Sequence, residues 1–284
     1  MAVEIDTKHI AQVQQEVQSI YQTLFPSGSA VFIPEIFGWA HDCFTGKYHD
    51  YQPIDARYHD LEHTLQGTLC MARLLRGWHF AKTQPALTQR MFELGLLAIL
   101  MHDTGYLKKR GDNDGTGAKY TLIHVDRSRH FAGELMAEKN FPAPEIKAVQ
   151  SMISCTGLNV DLSSIPFQSE VEQRTGFALG SADLLGQMAA GDYIDKLPIL
   201  FTEFAEASSC SEGEMRLSTS FSSATDLLQK TPMFWEKHVR PKIANDFQGV
   251  YRFLNTPYPD GKNCYIDRVE QNISRLRREL EKAA

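Results

Sequence analysis

Residues 94–103 read Leu94-Gly95-Leu96-Leu97-Ala98-Ile99-Leu100-Met101-His102-Asp103, an apolar run that ends in a histidine–aspartate pair. From residue 86 to residue 102 the side chains are apolar on almost all sides, which is typical of a helix at the centre of a bundle. A carboxylate beside such a run costs free energy unless it is paired or bound to a metal. Asp103 is therefore a candidate metal ligand, and the alternative is that it accepts backbone N–H groups at a helix end.

The segments around this run also show helical periodicity. Residues 10–24 place apolar side chains at three- and four-residue steps until Pro26 interrupts them. Further helices are predicted at 59–76 (with Gly77 as a stop), 125–140, 145–155, 170–190, 193–208, 222–230, 232–255 and from about Tyr265 onward. The best candidate for a strand is 158–165. We predict an all-α fold in one domain over residues 1–284, with the site in a core of about 55–200 and C-terminal helices of about 220–284 packed on it.

The composition and charge of the chain limit its possible binding partners and its expected cellular location. The chain has 284 residues and a formal net charge of −6, which argues against a nucleic-acid polymer as the main partner. The N-terminal residues do not resemble a signal peptide, and the longest apolar stretch is far shorter than the roughly 20 residues that cross a bilayer. Five scattered cysteines favour reduced thiols in the cytoplasm. The apolar stripe of the last helix favours docking on the parent domain, and a homodimer stays open.

Histidines and aspartates recur at three further places. His59 and His63 are four residues apart, so they share one face of a helix. His124 opens another predicted helix, and Asp183 lies in a small, apolar setting. Imidazole and carboxylate groups are ligands of zinc, manganese and iron. The alternatives are ordinary core or surface histidines and an N-cap role for Asp183.

The order of these residues resembles the HD superfamily of metal-dependent phosphohydrolases, whose motif is a histidine, a histidine–aspartate pair and a distal aspartate. Here they are His63, His102-Asp103 and Asp183. The resemblance covers roughly residues 55–200 and includes the apolar run into His102, as well as Ser128 and Ala132 after His124. It implies an HD-domain or phosphodiesterase-like helical bundle.

Tyr58-His59-x-x-x-His63 is also similar to class I cyclic nucleotide phosphodiesterases, which implies that His59 is a general acid. Two departures put cyclic-nucleotide specificity in doubt. Tyr106 stands where those enzymes have a histidine, and Thr231 stands where they have a base-binding glutamine. The expected substrate is a small phosphate ester, with nucleotides foremost, and monoesters and cyclic diesters both stay open.

The resemblance implies a tightly held zinc, manganese or iron ion that would activate a water molecule to attack phosphorus. The implied ligands are His63, His102, Asp103 and Asp183. A second, weaker magnesium or manganese ion could bridge through Asp103 near His124. Candidates to orient a histidine are Asp60, Glu62 and Asp126, and candidates to neutralise phosphate are Arg127, Arg129, Lys108 and Lys109. Phe167, Phe234 and Trp235 are candidates to wall a base pocket, and residues 111–117 are a predicted surface loop beside the site.

Two other functions stay open. An HD-type di-iron oxygenase needs about two further histidines, where this chain has Ser154 and Cys155. A non-catalytic sensor that binds metal or nucleotide needs no proton donor, so His59 counts against it.

Overall fold

The chain folds almost entirely into α-helices. A computed structural model describes residues 5–157, 160–210 and 221–283. Ten α-helices lie in these residues: Ile10–Leu24 (α1), Phe32–Phe44 (α2), Leu61–Ala81 (α3), Gln89–Met101 (α4), His124–Glu138 (α5), Ala143–Ser154 (α6), Glu170–Met188 (α7), Tyr193–Cys210 (α8), Ala224–Phe234 (α9) and Cys264–Ala283 (α10). Strands Asn255–Thr256 (β1) and Lys262–Asn263 (β2) pair antiparallel. The predicted all-α fold is confirmed.

Helix α4 lies inside the bundle, as its apolar sequence predicts. Every residue from Phe92 to Met101 is buried, and the helix packs against α2, α3, α6 and α7. Each large apolar side chain buried in this way contributes about 1.5–3 kcal/mol to folding. His102 directly follows the last turn, so α4 carries the histidine–aspartate pair into the interior.

Helices α3 and α7 approach each other closely beside this pair. A Cβ atom added at Gly186 would lie 2.8 Å from the backbone of Gln66 and Gly67, so a larger residue does not fit there. His63 lies about one turn before Gly67 on α3, and Asp183 lies about one turn before Gly186 on α7. The close packing therefore brings an imidazole and a carboxylate from two helices to one place.

Helix α2 has no counterpart among the predicted helices. Pro34 and Gly38 weaken its sequence pattern, yet Pro34 lies in the first turn, where a backbone N–H has no helical acceptor. Ile33, Ile36 and Phe37 are fully buried, and the helix packs against α1 and α4. Tertiary packing therefore stabilises this helix against its local breakers.

The helix predicted at 232–255 is irregular. It consists of π-helical turns Trp235–Val239 and Lys242–Asp246 and a 3-10 turn Val250–Leu254. Pro232 and Pro241 donate no backbone hydrogen bond, which interrupts a regular α-helical ladder.

Gly77 does not end α3, which runs to Ala81. A Cβ atom at Gly77 would lie 1.7 Å from the carbonyl oxygen of Phe253, so this glycine admits a neighbouring turn.

The predicted strand at 158–165 contains no strand in its described part. Residues 158–159 of the candidate strand lie outside the described residues, and the part from residue 160 contains a 3-10 turn, Leu162–Ser164. Helix α10 docks on α7, α8 and α9. Its side chains Val269 and Ile273 are fully buried.

Across the described ranges, no helix combines the length and apolar character needed to cross a membrane.

Candidate metal centre

Four side chains from three regions of the chain converge beside the end of α4. Nε2 of His63 lies 3.2 Å from Oδ2 of Asp103 and 3.3 Å from Oδ1 of Asp183. Nε2 of His102 lies 3.2 Å and 3.5 Å from the same two oxygen atoms. Two atoms bound about 2.1 Å from one ion lie roughly 3.0–3.5 Å apart at octahedral or tetrahedral angles. The spacing therefore suits a shared divalent ion.

The hydrogen bonding of His102 leaves the right atom free for a metal. Its Nδ1 lies 2.7 Å from the carbonyl oxygen of Ile99, so Nδ1 donates a proton there and Nε2 is the nitrogen that could bind a metal after losing its own proton. Within the described residues, Nε2 of His102 and Oδ2 of Asp103 are buried without a well-formed hydrogen bond. Buried polar atoms left this way are costly. A cation between them would satisfy both, so the residues present fit a metal.

The candidate ligands shift one another's pKa values strongly when no metal is bound. Burial lowers the pKa of His63, but the carboxylates of Asp103 and Asp183 outweigh it and raise that pKa to about 10. They also raise the pKa of His102. Burial raises the pKa of both aspartates, yet the facing imidazoles bring each pKa well below its usual range. Protons on the imidazoles therefore balance the two carboxylates, and a metal ion would displace them.

This balance predicts a pH-dependent stability of the metal-free protein. The folded-state pKa of His63 is about 10, above its ordinary value of 6.5. The stabilisation is complete below pH 6.5 and is lost as pH rises toward 10. We expect the melting temperature of the chelator-treated protein to fall between pH 6.5 and about 9, and the fall to shrink in His63→Gln. Equal slopes for the two proteins by thermal circular dichroism would contradict the charge balance.

His59 lies beside the cluster, held by a residue that the sequence did not indicate. Its Nδ1 is 2.6 Å from Oε2 of Glu203 on α8, and Oε1 of Glu203 accepts the backbone N–H of Tyr58 at 2.7 Å. The imidazole lowers the pKa of Glu203 against the effect of burial, which raises it. The only local signal is a carboxylate on the buried face of α8, four residues before Ala207. Glu203 is therefore the group that orients His59.

The three predicted orienting carboxylates have other partners. Asp60 caps α3 by accepting the backbone N–H of His63 at 2.9 Å. Glu62 pairs with Lys196 at 2.8 Å. The third, Asp126, is exposed and pairs with Arg129. The carboxylate that contacts the imidazole of His59 is instead Glu203, which approaches from a separate helix.

The site has an open side. The side chains of the buried group are 1–5% exposed, whereas those of the open group are 13–20% exposed. The buried group comprises His63, His102 and Asp103, and the open group comprises His59, His124 and Asp183. His124 lies with Nε2 4.0 Å from Oδ1 of Asp103, and burial lowers its pKa. His59, His124 and Asp183 therefore mark the side of the cluster that solvent reaches.

The predicted phosphate-neutralising residues are engaged with the protein. Arg127 donates to the carbonyl oxygens of Gly105 and Leu107 at 2.7 and 2.8 Å. Lys108 is buried and pairs with Asp55 at 2.8 Å. Lys109 is exposed near the ring of Tyr51, and Arg129 has the partner given above. The contacts of Arg127 and Lys108 hold the chain that follows Asp103.

The predicted surface loop 111–117 is attached to its surroundings. The side chain of Thr116 donates to Glu206 of α8 at 2.7 Å, and Tyr120 donates to Asp112 at 2.6 Å. Lys108 donates to the carbonyl oxygen of Gly115. Helix α8 therefore contacts this loop through Glu206 and His59 through Glu203.

The aromatic residues predicted to wall a base pocket have core contacts. Trp235 is fully buried and donates its indole N–H to Glu270 at 2.9 Å. Phe167 packs edge-on against Phe177, and Phe234 stacks with His238. These contacts account for their positions without a bound base.

The fold and the site together define a helical protein with a candidate metal centre built from two imidazoles and two carboxylates. The chain belongs to the Npun_R2479-like family, whose model matches residues 111–264, more than half of its length. The matched stretch contains His124, Asp183 and Glu203. Comparison with curated proteins and with solved structures finds no match.

Proposed function

We propose that the protein is a metal-dependent phosphohydrolase that cleaves a small phosphate ester, with nucleotides as the first substrates to test. The observation that carries the proposal is the convergence of His63, His102, Asp103 and Asp183 in a buried cluster with His59 at its open side. The order of these residues supports a further proposal that the Npun_R2479-like family is related to the HD phosphohydrolases.

The cluster would hold the ion through two imidazole nitrogens and two carboxylate oxygens. A divalent ion in such a site lowers the pKa of water toward neutrality and polarises a phosphoryl oxygen. Burial of His63, His102 and Asp103 excludes bulk solvent and strengthens their attraction for a cation. Asp183 is less buried and borders the side from which a substrate would approach.

His59 would act as the general acid. Its Nδ1–H donates to Glu203, so Nε2 is the atom that exchanges a proton with the leaving oxygen. The Glu203 carboxylate stabilises the protonated imidazole before transfer and keeps Nδ1 protonated after it. The ring of His59 lies 5.3 Å from that of His63, which places the acid next to the cluster.

The test is metal analysis paired with an ester screen on the same preparation. We expect about one tightly bound zinc, manganese or iron ion per chain. Turnover of cyclic nucleotides, nucleoside monophosphates or p-nitrophenyl phosphate esters should disappear on chelation and return with manganese or magnesium. Metal-free protein that gains no activity on metal addition would refute the proposal.

The same preparation separates the alternatives. Iron with a mixed-valence spectrum, and no ester turnover, would favour the di-iron oxygenase. The positions where that enzyme needs further histidines hold Ser154, which donates to the carbonyl oxygen of Gln150, and the buried Cys155. A bound metal with no turnover of any ester would favour the sensor.

A further inference from the structure

The rings of two histidines at the open side of the site rest against the buried ring of Tyr106. The rings of His59 and Tyr106 lie 4.5 Å apart at an interplanar angle of 12°. The rings of Tyr106 and His124 lie 4.7 Å apart at 24°. The centroids of the two imidazoles are themselves only 6.2 Å apart, so the two histidines lie side by side against Tyr106 and not on its opposite faces.

The ring of Tyr106 is held by contacts on both sides along the chain. Tyr106 is fully buried, and the residues on both sides of it are bound to α5. The carbonyl oxygens of Gly105 and Leu107 accept from Arg127, and the N–H of Gly105 donates to Ser128 at 2.8 Å. Burial also raises the pKa of Tyr106 far above its ordinary value, so the ring is a neutral phenol. Arg127 and Ser128 thus fix the face on which His59 rests.

We propose that Tyr106 is a positioning residue for His59, an inference that rests on the proposed hydrolase function. The hydrogen bond to Glu203 fixes one edge of the imidazole but leaves the ring free to tilt about that bond. Stacking on Tyr106 removes this freedom, because tilting would separate the two faces. The edge contact and the face contact together define the direction in which Nε2 of His59 points.

This role predicts an effect that depends on the leaving group. Proton transfer requires close alignment of donor and acceptor, and it matters most when the leaving oxygen is strongly basic. A p-nitrophenolate ion leaves without much help, whereas an alkoxide needs a proton. A loss of alignment at His59 should therefore slow alkyl esters selectively.

The test compares Tyr106→Leu with Tyr106→Phe, which keeps the stacking ring. For Tyr106→Leu we expect kcat to fall about 10- to 100-fold on an alkyl phosphate ester and less than about threefold on the matching p-nitrophenyl ester. Tyr106→Phe should stay within about threefold of the wild type on both. Carbon-13 relaxation of the His59 ring should show increased motion in Tyr106→Leu alone.

The outcomes distinguish this inference from the proposed function. Equal losses on both esters in Tyr106→Leu, with His59 ring motion unchanged, would overturn the positioning role. A Tyr106→Phe variant as impaired as Tyr106→Leu would also overturn it, because the hydroxyl rather than the ring would then matter. If the wild type hydrolyses neither ester with any metal, the hydrolase proposal fails, and the relaxation data still decide whether Tyr106 restrains His59.

Discussion

Asp103→Asn is expected to abolish metal binding and, with it, ester hydrolysis. Oδ2 of Asp103 lies 3.2 Å from Nε2 of both His63 and His102, so the charge of this carboxylate is central to the cluster. An amide is a neutral and weaker ligand. We expect bound metal to fall below about a tenth of an ion per chain and turnover to fall more than about 1,000-fold. Elemental analysis and initial rates on the same sample measure both effects.

Removing one partner from a buried set of charges also destabilises a protein, by about 3–5 kcal/mol. Asp183→Asn therefore serves as a second variant, because its side chain is less buried than that of Asp103. The matched control is Asp126→Asn, which changes an exposed carboxylate on α5. A folded Asp103→Asn protein, or a folded Asp183→Asn protein, that retains wild-type metal content would show that the cluster is not the metal site.

His59→Ala is expected to separate catalysis from metal binding. His59 is attached to Glu203 rather than to the facing carboxylates, so its removal leaves the four ligands in place. Loss of a general acid lowers kcat about 100- to 10,000-fold. We expect this loss on esters with basic leaving groups, a smaller loss on p-nitrophenyl esters, and an unchanged metal content.

The control for this variant is His130→Ala, because His130 is exposed on α5 and contacts only a backbone carbonyl oxygen among its described hydrogen bonds. Turnover of His59→Ala within a few-fold of the wild type would mean that another group supplies the proton. Loss of metal together with activity would instead mean that His59 is a ligand, which would require a different assignment of the cluster.

Much of the architecture follows from local sequence. The apolar run before His102 predicts a central helix, because a helix without a polar face is stable only in the interior. The four-residue spacing of His59 and His63 places them close together, although His59 in fact precedes α3. Helix α2 shows the limit of this reasoning, because its stability comes from packing of Ile33, Ile36 and neighbouring side chains on other helices.

By itself, the sequence determined the helical class and the kinds of side chain from which a metal centre could be built, because hydrophobic period and residue chemistry are local properties. The order of the motif had already grouped His63, His102, Asp103 and Asp183 into one site, but only the tertiary structure decided which other groups meet around it. Glu203 reaches His59 across 144 residues, and Tyr106 stacks with two histidines from different segments. Arg127 binds the carbonyl groups beside that ring. Such pairings depend on how the helices pack. Local spacing along the chain does not determine the distance between side chains that lie far apart in sequence.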